Sequence, residues 1–229
     1  DNPKLLCELF ADDKCLLKSD LDWKVTTDGP IVYDSLRNGE SYDARLEMPG
    51  WNDIGFDDSA WKNAVQVAPP PGILQQQEVE PIKVFQEYEP CASKKLPDGI
   101  VYDFPLNIAG WCKLQVKGEK GAKISLIYGE LKSENGDLDI ENISYNNYSK
   151  RQHLDTYILN GKGTESWEPS FTYHGFQFVK VQISGKAEIV SLKARFIHSD
   201  FKEIGHFKSS DATLNRLQEL TKISYLSNY

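Results

Sequence analysis

Apolar and polar residues alternate with a period of two along most of this sequence, and this alternation is its strongest constraint on the fold. The clearest runs are residues 111–117 and 122–128, separated by residues 118–121, and residues 176–183 and 189–196, separated by residues 184–187. Because successive side chains of a strand point to opposite faces, each run predicts a half-buried strand. Each pair of runs predicts a β-hairpin, and the whole pattern is typical of an all-β chain built from two β-sandwich, jelly-roll-like modules.

Helical periodicity is confined to the end of the chain. Leu214, Leu217, Leu220 and Ile223 recur in steps of three, and Ser209–Asp211 supplies side chains that can cap a helix N-terminus. The sequence therefore predicts one amphipathic helix, within residues 207–229. Because this helix has no partner after it, and the chain opens directly on a strand-like run, we expect the chain to be a piece of a longer protein.

A change of composition marks a boundary between the two β modules. Between residues 68 and 100 the chain becomes rich in Pro and Gln, and Pro69–Pro71 predicts an extended polyproline connection. We therefore predict a first module over residues 1–75, a second β-sandwich over residues 76–206 and the helical segment over residues 207–229.

The charge balance excludes two classes of partner. The 229 residues carry 26 Lys and Arg against 34 Asp and Glu, a formal net charge of −8. Such a surface does not attract nucleic acid or anionic lipid. No run reaches the ~18 apolar residues that a membrane helix needs, so we expect neither nucleic acid nor a membrane as a partner.

Cysteine and acidic residues give no strong metal signature. The four cysteines lack the C-x-x-C spacing of a zinc site. Cys7 and Cys15 flank a predicted hairpin turn at residues 11–13; a disulfide between them stays open, but we favour four small apolar core residues. Residues 137–142 place acids at alternate positions, yet they lack the complete calcium ladder and are interpreted as a solvated loop.

Motifs of the common catalytic machineries are absent from the sequence. It has no phosphate-binding loop, no His-Glu-x-x-His helix and no Gly-x-Ser-x-Gly elbow, and no spacing singles out a pair of glycosidase carboxylates. His174 lies in the aromatic segment 171–176, which we interpret as core and turn, with the histidine as a hydrogen-bonded structural residue.

One segment has the residue types of a carbohydrate site. Asp43 and Arg45 lie in a strand-like run, and Trp51 and Asn52 follow in a turn. Carboxylate and guanidinium groups can take vicinal hydroxyls bidentately, while an indole packs on the apolar face of a sugar ring. The alternative is a structural Asp43–Arg45 pair with Trp51 in the core.

A set of short motifs carries a resemblance to a known family. In the first module they are residues 23–24, 29–31, 38–40, 42–45, 50–51 and 55–61; in the second they are residues 103–104, 107–111, 129–131, 138–142, 155–159 and 167–176. In order and spacing they resemble the N-terminal and middle β-sandwich domains of bacterial α-L-rhamnosidases, glycoside hydrolase family 78. Pro105 and Leu106 depart from the family pattern, in which we expect Gly-Gln, and they imply a locally altered turn.

The resemblance implies a non-catalytic role for this chain. In that family, acidic residues of a downstream (α/α)6 barrel hydrolyse terminal α-L-rhamnosides with inversion, and no motif here matches them. Some relatives bind rhamnose through a calcium-dependent N-terminal module, which carries the prediction over to Asp43 and Trp51. Ala44 offers no oxygen to a cation, so we assign no cofactor and leave calcium open.

The resemblance also implies partners and a compartment. We expect a rhamnose-containing glycan and the downstream catalytic domain of the same polypeptide as partners, in a periplasmic or secreted bacterial protein. Two alternatives stay open, namely a self-standing lectin-like module that binds rhamnosides by itself and a purely structural spacer.

Overall fold

The structure, a computed structural model, describes residues 4–69, 72–144 and 151–229, without the side chains of Asn142 and Ser144. The strands are β1 (Glu8–Ala11), β2 (Lys14–Lys18), β3 (Lys24–Val25), β4 (Ile31–Ser35), β5 (Gly39–Asp43), β6 (Lys62–Asn63), β7 (Ile82–Tyr88), β8 (Ala92–Leu96), β9 (Gly99–Gly118), β10 (Lys123–Gly129), β11 (Leu131–Lys132), β12 (Leu138–Asp139), β13 (Leu154–Ile158), β14 (Thr164–Trp167), β15 (His174–Ser184) and β16 (Ala187–Ser199). The helices are a 3-10 turn (Ala44–Leu46), α1 (Glu141–Ser144) and α2 (Ala212–Leu226). The all-β prediction is confirmed.

The chain forms two compact units that are not continuous in sequence. The first unit is Asp1–Gly29 with Leu46–Gln76, and the second is Pro30–Arg45 with Gln77–Tyr229. Strands β4 and β5 therefore fold with the second unit although they precede part of the first. The module boundaries after residues 75 and 206 remain predictions. Pro70 and Pro71 of the predicted polyproline connection, and residues 145–149 of the Asn-rich loop, lie outside the described residues.

The first unit holds two small antiparallel pairs, β1–β2 and β3–β6. The β1–β2 hairpin turns at Asp12, whose φ of 50° is left-handed. Its register sets Cys15 opposite Phe10, whereas the Cys7 carbonyl accepts from the N–H of Ser19. All four cysteines are free thiols and only Cys112 is buried, so the interpretation of four core cysteines is wrong for three of them.

The second unit is built on one curled ten-stranded sheet. Its strands follow the order β4-β5-β13-β10-β15-β9-β16-β7, and β8 and β14 also pair with β9. Alternate residues of the long strands meet in one apolar core, among them Ile108, Cys112, Leu114 and Val116 of β9, Ile124, Leu126 and Tyr128 of β10, Val179 and Val181 of β15, and Leu192, Ala194 and Phe196 of β16. The period of two in the sequence is therefore the signature of this core.

The predicted strands are present, but the two predicted hairpins are wrong. Strand β10 pairs with β13 and β15 instead of β9, and β15 pairs with β9 and β10 instead of β16. The reason is the length of β9, whose first half pairs with β15 and whose second half pairs with β16. Short connections at residues 118–121 and 184–187 therefore join strands that are not neighbours in the sheet.

Gly110 is the point where β9 changes partner. It lies opposite His174 on β15 and opposite Phe196 on β16. A Cβ atom at this position would come within 1.8 Å of the Arg195 carbonyl oxygen, a backbone atom that cannot move aside cheaply. The close approach of these backbones therefore requires glycine here.

The substitution Gly110→Ala should destabilise the second unit by about 3 kcal/mol or more, because backbone must shift to admit the methyl group. Urea unfolding followed by tryptophan fluorescence measures this change. Gly205→Ala is the matched control, since a Cβ there meets nothing within 4 Å. Equal stabilities of the two variants would show that the sheet tolerates a side chain at its bend.

The C-terminal helix begins as the sequence predicts. Asp211 caps α2, and its side chain accepts from the N–H groups of Thr213 and Leu214. The stripe of Leu214, Leu217 and Leu220 is exposed, at 47, 59 and 45%. Within the ranges that the structure describes, α2 is the only helix longer than a single turn. None of the described helices is long and apolar enough to cross a membrane.

Candidate functional site

Strand β5 brings the predicted residue Asp43 into the sheet of the second unit. It runs parallel to β13, with Ser41 opposite Thr156 and Asp43 opposite Ile158. The strand starts at Gly39, whose φ is 94° and whose Cβ would lie 2.3 Å from the Leu154 carbonyl oxygen. Only glycine allows the chain to turn so closely against β13.

Asp43 and Arg45 form a bidentate pair, which is the structural alternative to a sugar site at these residues. Arg45 donates from Nε to Asp43 Oδ1 at 2.8 Å and from Nη2 to Oδ2 at 2.6 Å, and its backbone N–H also bonds Oδ1 at 3.1 Å. The hydrogen bonds from Arg45 hold the pKa of Asp43 below its usual value. With both oxygens occupied, Asp43 positions Arg45, whose side chain is 42% exposed.

Trp51 and Asn52 lie in the first unit, on a turn between Met48 and Asp53. The Trp51 N–H donates to the Met48 carbonyl at 3.1 Å, and the Asp53 N–H donates to the Gly50 carbonyl at 2.8 Å. Trp51 is 60% exposed, so its interpretation as a core residue is wrong. The four predicted site residues thus divide into two pairs, one in each unit.

The aromatic segment before β15 alternates in its exposure. His174 and Phe176 are buried at 1 and 0%, as predicted for a structural histidine in a corner. Phe171 and Tyr173 are exposed at 61 and 45%, so neither belongs to the core part of the predicted core and turn. The alternation shows that one side of this segment faces the core and the other faces solvent.

A buried polar cluster that sequence reasoning missed surrounds Asp155. Its Oδ1 accepts from the N–H of Glu40 at 2.9 Å, and its Oδ2 lies 3.1 Å from His174 Nε2. The Tyr128 hydroxyl also bonds this carboxylate. The same hydroxyl accepts a hydrogen bond from the Cys112 N–H at 3.2 Å. Burial raises the pKa of Tyr128 well above its usual value, so the phenol stays a neutral donor.

Glu40 is the second fully buried carboxyl group of this cluster. Its Oε2 accepts from the consecutive N–H groups of Ser170 and Phe171, at 2.9 and 3.1 Å. Its Oε1 is buried and has no hydrogen-bond partner among the described residues. Burial is the main cause that raises the pKa of Glu40, and the nearby Asp155 carboxylate adds to it. Glu40 thus fixes the loop that carries Phe171.

A raised pKa in the folded state makes stability depend on pH. The contribution of Glu40 is fully present below its unfolded pKa, near 4.5, and it is lost as the pH rises through the higher folded pKa. Glu40→Gln removes this titration, so the variant should lose less free energy of unfolding than the wild type between pH 4 and pH 7.

Denaturant unfolding at a series of pH values measures the difference, and Glu188→Gln, on the exposed part of β16, serves as the control. Parallel pH profiles for the wild type and Glu40→Gln would contradict the raised pKa.

Two acids of segment 137–142, Asp137 and Asp139, make contacts within the fold. The Asp137 carboxylate pairs with Lys180 Nζ at 2.9 Å, and Asp139 Oδ1 accepts from the N–H of Glu141 at 3.0 Å. Among the residues that the structure describes, no group of three or more His, Cys, Asp or Glu side chains is placed to hold a metal ion.

Two domain families match this chain in succession. Residues 1–86 match the alpha-L-rhamnosidase N-terminal domain, and residues 93–198 match the bacterial alpha-L-rhamnosidase concanavalin-like domain. The second match covers most of the curled sheet, from β8 to β16.

Curated relatives and solved structures carry the same name. An alpha-L-rhamnosidase of Formosa agariphila is 36% identical over 92% of this chain and 22% of its own length, and one of Streptomyces avermitilis is 33% identical over 95% of this chain and 21% of its own. The structure of alpha-L-rhamnosidase from Dictyoglumus thermophilum superposes with a TM-score of 0.84 at 35% identity, over 96% of this chain and 25% of that one. The Streptomyces avermitilis enzyme complexed with L-rhamnose superposes with a TM-score of 0.86 at 30% identity, over 98% of this chain and 22% of that one.

Over residues 1–86 and 93–198 the chain carries the N-terminal and concanavalin-like domains of the bacterial α-L-rhamnosidase family. It spans between a fifth and a quarter of the length of these relatives.

Proposed function

We propose that this chain is the non-catalytic β-domain part of an enzyme that hydrolyses terminal α-L-rhamnosides. The main observation in favour of this proposal is that the chain superposes on solved rhamnosidases along almost its whole length. It covers at most a quarter of the length of those structures. The surroundings of the buried carboxyl groups also support a non-catalytic role. Among the residues that the structure describes, three carboxyl groups are buried, those of Glu40, Asp43 and Asp155, and each accepts hydrogen bonds from neighbouring groups of the fold. A glycosidase needs two carboxyl groups facing one bond, whereas each of these three accepts hydrogen bonds inside the fold, and of their oxygens Glu40 Oε1 is the one without a partner among the described residues.

The chain alone should release no product from an aryl α-L-rhamnoside, because the acid and base of hydrolysis lie outside it. A chromogenic assay at high protein concentration measures this, with a full-length α-L-rhamnosidase as the positive control. Turnover that survives purification to homogeneity and disappears on substitution of one acid would contradict the proposal.

The chain's first role in such an enzyme is support for the catalytic domain of the same polypeptide. The exposed leucines of α2 favour this role, because a helix normally buries its apolar stripe against another element. The Ser199 N–H donates to the Tyr229 carbonyl at 2.9 Å, and the Phe201 ring contacts the rings of Tyr225 and Tyr229, which ties the end of α2 back to the end of β16. The helix therefore offers its remaining apolar side to a neighbouring domain.

Carbohydrate binding is the second role, and the exposure of Trp51 favours it. An indole that is 60% exposed on a turn offers a flat apolar face of the kind that packs on a sugar ring. Asn52 follows it in the same turn, and in the second unit Arg45 keeps part of its guanidinium in solvent while Asp43 holds it. The proposed ligand is a rhamnose-containing glycan, whose 6-methyl group gives the indole an additional apolar contact.

Rhamnose should bind weakly, with Kd near 1 mM, about 4 kcal/mol, because each hydroxyl exchanges water contacts for protein contacts of similar strength. NMR titration of the labelled chain, once with calcium and once with chelator, measures the affinity. Trp51→Ala should weaken the response of the amides in its own turn several-fold, and Arg45→Ala that of the amides of residues 43–45, whereas Ile54→Ala, a change at an exposed position of the Trp51 turn, should affect neither. Asp43→Ala tests whether holding Arg45 in place matters. Unchanged titrations for Trp51→Ala and Arg45→Ala would place the ligand elsewhere.

A further inference from the structure

The outer side of β9 and β15 carries a set of residues that neither the fold nor the proposed function uses. The register pairs Gly110 with His174 and Ala109 with Gly175, and Gly110, His174 and Ile108 lie on the core side. Side chains alternate along each strand, so Asn107, Ala109 and Trp111 of β9 share the outer side with Gly175 of β15 and with Tyr173 just before it. Together with Glu130, which follows β10, we call these residues the outer-face cluster.

The centre of this cluster is formed by residues with small side chains or none. Ala109 contributes one methyl group and Gly175 contributes no side chain. A Cβ built on Gly175 would lie 3.5 Å from Glu130 Oε1, so the carboxylate rests directly above this backbone. Asn107 Nδ2 donates to the same Oε1 at 3.1 Å. Within the part of the chain that the structure describes, Oε2 of Glu130 has no hydrogen-bond partner.

Hydrogen bonds of neighbouring groups fix the positions of Trp111 and of the segment before Tyr173. Trp111 Nε1 donates to Glu168 Oε2 at 2.7 Å, and Arg195 Nη1 bonds both oxygens of Glu168, at 2.8 and 2.5 Å. Tyr173 follows the loop whose N–H groups bind the buried Glu40, and Thr172 Oγ1 donates to the Leu36 carbonyl at 3.1 Å. A buried carboxyl group is costly, and here it serves to fix the segment that leads into an exposed tyrosine.

This combination has the chemistry of a sugar-binding surface. Tyr173 and Trp111 provide aromatic groups that can pack on the C–H face of a pyranose, while Glu130 and Asn107 provide an acceptor and an amide for vicinal hydroxyls. Groups that are fixed before binding lose little entropy on binding a small ligand. A protein-docking patch would instead be a contiguous apolar area of several hundred Å², and this cluster mixes two aromatic groups with charged and amide groups.

We propose that the outer-face cluster is a second carbohydrate subsite, which binds one pyranoside unit against Tyr173 and Glu130. It binds and does not hydrolyse, because a glycosidase needs two carboxyl groups and Glu168, the carboxylate bonded to Trp111, is already paired with Arg195. The choice of rhamnoside as the first probe rests on the proposed function, whereas the position of the subsite rests on the sheet register and the contacts above.

NMR titration of the ¹⁵N-labelled chain with methyl α-L-rhamnopyranoside, and in parallel with methyl glucoside and methyl galactoside, tests the proposal. We expect shifts at the amides of residues 107–111, 130 and 173–176 with at least one of these sugars. Tyr173→Ala and Glu130→Gln should each weaken that response at least five-fold. Val190→Ala, an exposed apolar residue elsewhere on the same sheet, is the control and should leave it unchanged.

The two sugar-binding proposals give separate outcomes in this experiment. Trp51→Ala should abolish shifts at its own turn and leave those of the outer-face cluster, so either site can fail alone. No response of the cluster amides to any of the three sugars would overturn the subsite. Shifts at these amides that depend on protein concentration and not on sugar would also overturn it, since they would show a surface for protein contacts.

Discussion

The second unit depends on one buried carboxylate, that of Asp155. It joins four strands, because it accepts from the backbone of β5, faces His174 at the start of β15, bonds Tyr128 of β10 and itself lies on β13. A charged group with no exposed surface is tolerated only where its partners replace water. Loss of a partner from such a network typically costs about 3–5 kcal/mol. The position of Glu40, and through it the loop before β15, follows from this arrangement.

The apolar core and the polar network stabilise different parts of the second unit. The apolar core orders β9, β10, β15 and β16, and each fully buried Leu or Ile there stabilises the fold by roughly 1.5–3 kcal/mol. The network then attaches residues 30–45 to this sheet through polar bonds, among them the contact between the Ser41 and Thr156 hydroxyls at 2.5 Å. Direction and register at this edge are therefore specified by hydrogen bonds, because few apolar residues of β4 and β5 reach the core.

Sequence reasoning found what is encoded locally. The structure confirms two kinds of prediction that follow from neighbouring residues alone. These are the strands at residues 111–117, 122–128, 176–183 and 189–196, and the helix cap at Asp211. The predicted strand pairing was wrong because the observed pairing depends on Gly110, where β9 changes its partner. The requirement for glycine there is visible only once the backbones of β15 and β16 lie beside it. The Asp155 cluster escaped notice for the same reason, since Glu40 and Asp155 are 115 residues apart. At the candidate site the residue types offered the Asp43–Arg45 pair as the alternative to a sugar site, but they did not indicate that the four residues divide between two units.

The interleaving of the two units has a consequence for how this chain can be divided. A protein that began at residue 77 would contain the whole concanavalin-like match, yet it would lack β4 and β5. Strand β13 would then become a free edge, with unpaired backbone groups along its length, and such edges recruit strands from other molecules and promote aggregation. The N–H groups of Ser170 and Phe171 would lose their acceptor as well. The sixteen residues from Pro30 to Arg45 therefore act as an edge cover for the concanavalin-like sheet, and a cut before residue 77 would separate that sheet from its own protection.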